Sequence, residues 1–162
     1  IILLMEKSIE VGDSIELDDG TSGNVIETGA RYTLLDLGDG RKMMVPNEDM
    51  IIKRVINSTH GDRRGRAEIL LNVSYDADHA LALEIMLQKA HEHPRCIDDP
   101  APAAFIHAFK ESAVQLRLWF WVEDVCAGKL GPQSDIMHAI LIAFRARGIA
   151  IALPQVQVRN LG

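Results

Sequence analysis

The sequence predicts an α+β fold: a small all-β domain, then a βαββαβ domain, then a short C-terminal strand. Three observations lead there. Between Ile9 and Ile56, short apolar runs are punctuated by Asp18-Asp19-Gly20 and Gly38-Asp39-Gly40, where glycine supplies backbone angles that other side chains resist. Gly61-Asp62-Arg63-Arg64-Gly65-Arg66 then breaks the pattern with a polar, glycine-flanked run that reads as a linker and domain boundary. Beyond it, segments of period two alternate with segments of period 3.6.

In the first domain the expected strands are 14–17, 23–28, 32–37, 42–45 and 51–57. Asp39-Gly40 between two apolar runs predicts a hairpin closed by a tight primed turn. Pro46 cannot donate to a ladder, so it ends its strand or leaves it at an edge. Five short strands at this spacing suggest a small barrel or open sandwich.

In the second domain Ala67, Ile69, Leu71, Val73 and Tyr75 line one face of a strand. Asp76 or Asp78 caps a helix running to about His91, with Ala80, Leu83, Leu87 and Ala90 as its apolar stripe, widened by Leu81 and Ile85. Pro94 stops it. A strand follows at 104–109, and then the clearest one: Val114, Leu116, Leu118, Phe120 and Val122 point one way, Gln115, Arg117, Trp119 and Trp121 the other. The aromatic pair Trp119 and Trp121 on a polar face suits cover by a neighbouring domain or subunit, or a stacked ligand. Gly131-Pro132 or Ser134 starts a second helix carrying Ile136, Ala139, Ile140, Ala143 and Phe144, and Gly148 ends it. A last strand at 149–153 is broken by Pro154. The order is the split βαββαβ of ferredoxin-like folds, which host many activities and fix none.

Composition narrows the function classes. Hydrophobic residues at 48% and charged residues at 25% of 162 imply a packed core rather than disorder. Residues 1–60 hold 11 acidic and 6 basic side chains of a chain whose net charge is −6, and such a field repels phosphate backbones, against a nucleic-acid partner. Cys96 and Cys126, without a second pair, read as reduced thiols rather than a metal cage. No window reaches the roughly 18 to 20 apolar residues of a membrane helix. The chain opens Ile1-Ile2-Leu3-Leu4-Met5-Glu6 without an initiator methionine or a charged leader, as expected of a piece processed or excised from something longer.

No reactive constellation emerges. His91-x-His93 at a helix end sends its rings apart. Gly38-Asp39-Gly40 lacks the third glycine and the βαβ setting of a phosphate loop, and Ser112 and Ser134 have no recognisable histidine and acid arranged with them. The expectation is a protein that is not an enzyme and holds no cofactor and no metal.

The ordered series Val11-Gly12-Asp13-Ser14-Ile15-Glu16, Gly23-x-Val25, Arg31-x-Thr33, Asp39-Gly40-Arg41 and Val45-Pro46-Asn47 resembles the β domain of the small-conductance mechanosensitive channel family (MscS-type). The resemblance continues through Asn57, Tyr75-Asp76-x-Asp78, Pro100-x-Pro102, Gly148-Ile149 and Pro154-Gln155. It implies the end of a pore helix over 1–8, an Sm-like β domain over 9–60, a linker over 61–66, a ferredoxin-like domain over 67–154, and a C-terminal barrel strand over 155–162.

It also implies roles. Gly12 and Asp13 turn the chain out of the pore helix. Arg31 and Thr33 face neighbouring subunits, Pro46-Asn47 closes the hairpin of Asp39 and Gly40, and Gly23 is a further structural or assembly residue. Gln155, Val156 and Val158, after Pro154, supply one stave of a parallel barrel made by seven subunits. The implied function is the cytoplasmic vestibule of a mechanosensitive ion channel in the inner or plasma membrane. As a homo-oligomer, a heptamer, it would assemble the pore and pass ions and small solutes, reaching the membrane through an N-terminal region outside this sequence. Two alternatives stay open: a soluble oligomeric ligand-binding regulatory domain using Trp119 and Trp121, and an Sm-like RNA-binding ring, which the charge disfavours.

Overall fold

The computed structural model describes residues 8–154, 156 and 158. These form two compact units: residues through Gly65 together with Asp124–Gly128, and Arg66–Glu123 together with the residues from Lys129 onward.

The first unit holds β1 (Ser14–Glu16), β2 (Ser22–Thr28), β3 (Tyr32–Asp36), β4 (Lys42–Pro46), a short helix α1 (Asn47–Ile52) and β5 (Ile56–Asn57). They form one antiparallel sheet in the order β4-β3-β2-β1-β5. Strand alternation sends Ile15, Val25, Leu35 and Val45 to one face, where Met50 of α1 and Ile9 join them in a buried core. The pairing of β2 with β3 shifts register between Val25 and Glu27, a bulge at Ile26.

The turns differ from the primed type. Leu37 N–H donates to Arg41 O at 3.0 Å across a three-residue loop in which Gly38 (φ +82°) and Gly40 (φ +92°), not Asp39, take the left-handed angles. The Asp39 carboxylate braces this loop by accepting from the Arg41 backbone N–H at 3.0 Å and from Arg41 Nε at 2.8 Å. Leu17 N–H donates to Thr21 O at 2.8 Å across Asp18-Asp19-Gly20 in the same way.

Pro46 closes β4 at the sheet edge, opposite Tyr32. The strand expected over 51–57 is broken: residues 51 and 52 end α1 and residues 53–55 are neither helix nor strand. The helix starts where Pro46 is extended (φ −56°, ψ 133°), and Glu48 and Asp49 occupy the first turn of α1, where carboxylates complement the exposed N–H groups. Only Ile56–Asn57 remains as strand, paired with Glu16 and Ile15.

The second unit contains most of β6 (Gly65–Val73), α2 (His79–Glu92), β7 (Ala103–Phe109), β8 (Val114–Val122) and α3 (Leu130–Ala146). The sheet order is β6-β8-β7. Every second residue of β8, from Val114 to Val122, is buried beneath the helices' apolar faces, as the alternation predicts. The Asp78 side chain caps α2 by accepting from Leu81 N–H at 3.1 Å.

The buried face of α2 is Ala82, Ile85, Met86 and Ala90; Ala80 is exposed, while Leu83 and Leu87 are only half-buried. The buried positions 82, 86 and 90 recur every four residues, which rotates the stripe away from the expected one. Ile136, Ile140 and Phe144 are buried on α3. The strand expected at 149–153 reduces to one bridge, Ile151 to Val73, flanked by Ser74 N–H to Ala150 O (3.2 Å) and Ala152 N–H to Asn72 O (3.0 Å).

Candidate functional site

Two buried polar networks in the first unit gather most of the residues singled out there. The first stands where the chain enters β1. Gly12 takes φ +95° and donates its N–H to Val25 O at 2.7 Å, a conformation that costs a side-chain-bearing residue about 1–2 kcal/mol. The turn sets Asp13 inward. Its Oδ2 accepts from Glu10 N–H and Asn57 Nδ2, each at 2.9 Å, and its Oδ1 accepts from the Thr59 hydroxyl at 2.8 Å. Burial by itself would raise the carboxyl pKa; those hydrogen bonds and the nearby Arg63 charge outweigh it and hold Asp13 below the ordinary range. Asn57 also donates to Ser8 O at 3.0 Å, and Thr59 Oγ1 accepts from Ser14 N–H at 3.1 Å.

The second network sits at the base of the β3–β4 hairpin. Thr33 is buried rather than turned outward, and its hydroxyl donates to Asn47 Oδ1 at 2.8 Å. Asn47 Nδ2 donates to Gly29 O at 2.9 Å and its backbone N–H to Arg31 O at 2.7 Å. Asn47 therefore joins the α1 start to the β2–β3 turn, while the Arg31 side chain is exposed. Gly23 is needed for a different reason: a Cβ there would lie 2.9 Å from Asp36 O. Tyr32, Met44, Ile51 and Ile52 leave apolar surface exposed around this base and along β4.

In the second unit the open face of β8 is already occupied by its own neighbours. The Arg66 guanidinium lies 4.0 Å over the Trp119 ring, Phe105 meets that ring edge-on at 5.3 Å, and the indole N–H donates to Glu68 at 2.9 Å. Arg117 Nε lies 3.2 Å from the same carboxylate. Trp121 is half-buried. His91 and His93 do diverge: Nδ1 of the first lies 3.3 Å from Asp98 and Nε2 of the second 2.8 Å from Asp135. Pro154, Val156 and Val158 are exposed, the two valines at 85% and 84%; Gln155 lies outside the described residues.

The residues without a sequence signal are Thr59, Arg63 and Cys126. The last two meet at the Gly12 carbonyl, which accepts from Arg63 Nη1 and Nη2 at 3.2 Å each and from the Cys126 thiol at 3.4 Å. No helix among the described residues is long and apolar enough to cross a membrane.

The fold and these networks define a tandem of a β unit and an α/β unit whose distinctive polar residues hold backbone shape. Family models place it further. Residues 1–60 match the mechanosensitive ion channel beta-domain and residues 67–151 the mechanosensitive ion channel MscS C-terminal domain, so the chain belongs to the MscS family.

Relatives include an uncharacterized MscS family protein of Haemophilus influenzae, 31% identical over 98% of this chain and 14% of its own length. The miniconductance mechanosensitive channel MscM of Escherichia coli is 28% identical over the same shares. An uncharacterized MscS family protein of Archaeoglobus fulgidus is 26% identical over 96% of this chain and 53% of its own length. The chain thus spans between a seventh and about half of these relatives. Closed-state MscS of Helicobacter pylori shares the fold with a TM-score of 0.81 at 23% identity, covering 98% of this chain and 62% of that one. Arabidopsis thaliana MSL1 does so with a TM-score of 0.73 at 14% identity, over 94% and 56%.

Proposed function

We propose that this chain is the cytoplasmic vestibule portion of a mechanosensitive channel, joined to the inner or plasma membrane by a pore helix; the end of that helix expected over 1–8 lies, but for Ser8, outside the described residues. Copies of the chain, seven by family resemblance, form a ring that assembles the pore and passes ions and small solutes. The observation that carries this reading is the ordered match of both family domains along nearly the whole chain. The E. coli relative MscM, a mechanosensitive channel by name, points the same way.

In this reading the five-stranded unit is the Sm-like domain and the second unit the ferredoxin-like one, and the bridge of Ile151 to Val73 of the edge strand β6 supports a fourth strand there. The Gly12-Asp13 network sets the angle at which the pore helix meets the sheet. Neighbouring subunits would cover Tyr32, Met44, Ile52 and the β4 edge, removing apolar surface and unpaired strand groups from water. Val156 and Val158, exposed in one copy, would line a barrel made by all copies. Trp119, held by Arg66, Glu68 and Phe105, braces its face of the sheet in each subunit.

The test is electrophysiological. The full-length protein, expressed in a bacterial strain lacking its own mechanosensitive channels, should produce tension-activated currents in membrane patches and improve survival of sudden dilution. Purified in detergent, it should have the mass of a ring. Absence of tension-activated current together with a monomeric mass would overturn the assignment.

A further inference from the structure

We infer that Arg63 is a positioning residue: with residues 124–128 it forms a latch that fixes the Gly12-Asp13 corner. The chain leaves the second unit after Glu123, contributes Asp124–Gly128 to the first, and returns at Lys129. Nothing in the local pattern requires this excursion, and its contacts converge on one spot. Val125 N–H donates to Arg63 O at 2.9 Å, and the Arg63 guanidinium pairs with Asp124 at 3.3 Å. Asp124 in turn accepts from Cys126 N–H at 2.9 Å, which closes the turn Val125–Ala127 and aims the thiol at Gly12.

One carbonyl therefore takes both Arg63 Nη donors and the Cys126 thiol. Burial pushes the Cys126 thiol pKa up, so at neutral pH it keeps the proton it donates. Packing at the latch is tight. A Cβ on Gly65 would come within 2.5 Å of Val125 Cγ1, so glycine is what lets the segment close.

The consequence is mechanical. Gly12 O and the Asp13 network are consecutive along the backbone, and Arg63 touches both, by hydrogen bonds to the first and by its charge on the second. Within the first unit, residues 124–128 are thereby held to the Gly12 peptide through Asp124, Cys126 and Arg63. Two N–H groups of one planar guanidinium converge on that single oxygen, so the carbonyl is held in line with the guanidinium axis. Lysine, a point charge, would hold the distance without the orientation.

Hydrogen exchange on the full-length protein reads the latch directly, whether or not the protein gates a pore. Arg63→Ala should speed exchange at Gly12, Asp13 and Ser14 by tenfold or more while the β3 amides stay unchanged; Arg63→Lys should restore only part of it. Cys126→Ala, which removes one donor and little volume, should accelerate the same amides to a smaller extent and serves if the arginine variant folds poorly. Acceleration confined to 124–128, or spread equally over β3, would overturn the proposal.

Discussion

The Thr59 hydroxyl donates to the Asp13 carboxylate at 2.8 Å across 46 positions of sequence, closing the first sheet around the turn at which β1 begins. The contact is buried and its acceptor ionised, so it belongs to the stronger class of hydrogen bonds. Thr59→Val keeps the shape and removes the donor. It should cost about 1–3 kcal/mol in denaturant unfolding at neutral pH, and a Thr59→Ser variant should recover most of that.

The same carboxylate makes stability depend on acid. Asp13 has a folded pKa below its unfolded value, so its contribution is fully present above the ordinary aspartate range, about pH 4, and is lost as pH falls through the lower folded value. Asp13→Asn should be less stable than wild type at neutral pH, and the gap should narrow below pH 4. Unfolding midpoints across that range check it; a gap that stays constant would contradict it.

At the hairpin base, Thr33 and Asn47 should behave as a coupled pair. Thr33→Val and Asn47→Ala each leave a buried group without its partner, and a double-mutant cycle should return an interaction of about 0.5–3 kcal/mol. An additive cycle would mean that the 2.8 Å contact is incidental.

In the second unit burial separates two phenylalanines. Phe120 is fully buried, and Phe120→Ala should cost about 3–5 kcal/mol. Phe109 is 74% exposed and stacks on Tyr75, so Phe109→Ala should change stability by no more than about 0.5 kcal/mol. Thermal unfolding of both variants gives the comparison.

Gly23→Ala brings a methyl group to 2.9 Å from Asp36 O. Because that neighbour is backbone, β2 and β3 must separate, and the expected loss is about 1–3 kcal/mol, readable as a lower denaturation midpoint with unchanged secondary-structure content.

Elements whose partners lie within a few residues were legible from sequence. The alternation of β8 announced its buried face, and the glycine-bearing loops announced the hairpins. α1 was not legible, because six residues complete too few turns for a period to emerge and its apolar pair Ile51-Ile52 also suits a strand. The buried face of α2 failed for a related reason: Ala82 carries little hydrophobic weight yet sets how closely the helix packs. At the candidate site, Gly12, Asp13, Thr33 and Asn47 stood out through an ordered family pattern. Their partners did not, since Thr59 and Cys126 lie 46 and 114 positions away and tertiary closure of that length leaves no local trace.

The bulge at Ile26 has an unusual implication. Val25 pairs with Leu35 and Glu27 with Leu34, so Ile26 stands opposite no residue. Deleting a residue from a strand normally turns everything beyond it inside out. Here excision of Ile26 would leave a regular ladder with Val25 and Thr28 still facing inward, sacrificing only the extra curl that the supernumerary residue gives the ribbon. Curvature and side-chain facing are thus separately adjustable in this sheet, and a lineage could flatten or tighten it one residue at a time without redesigning its interior.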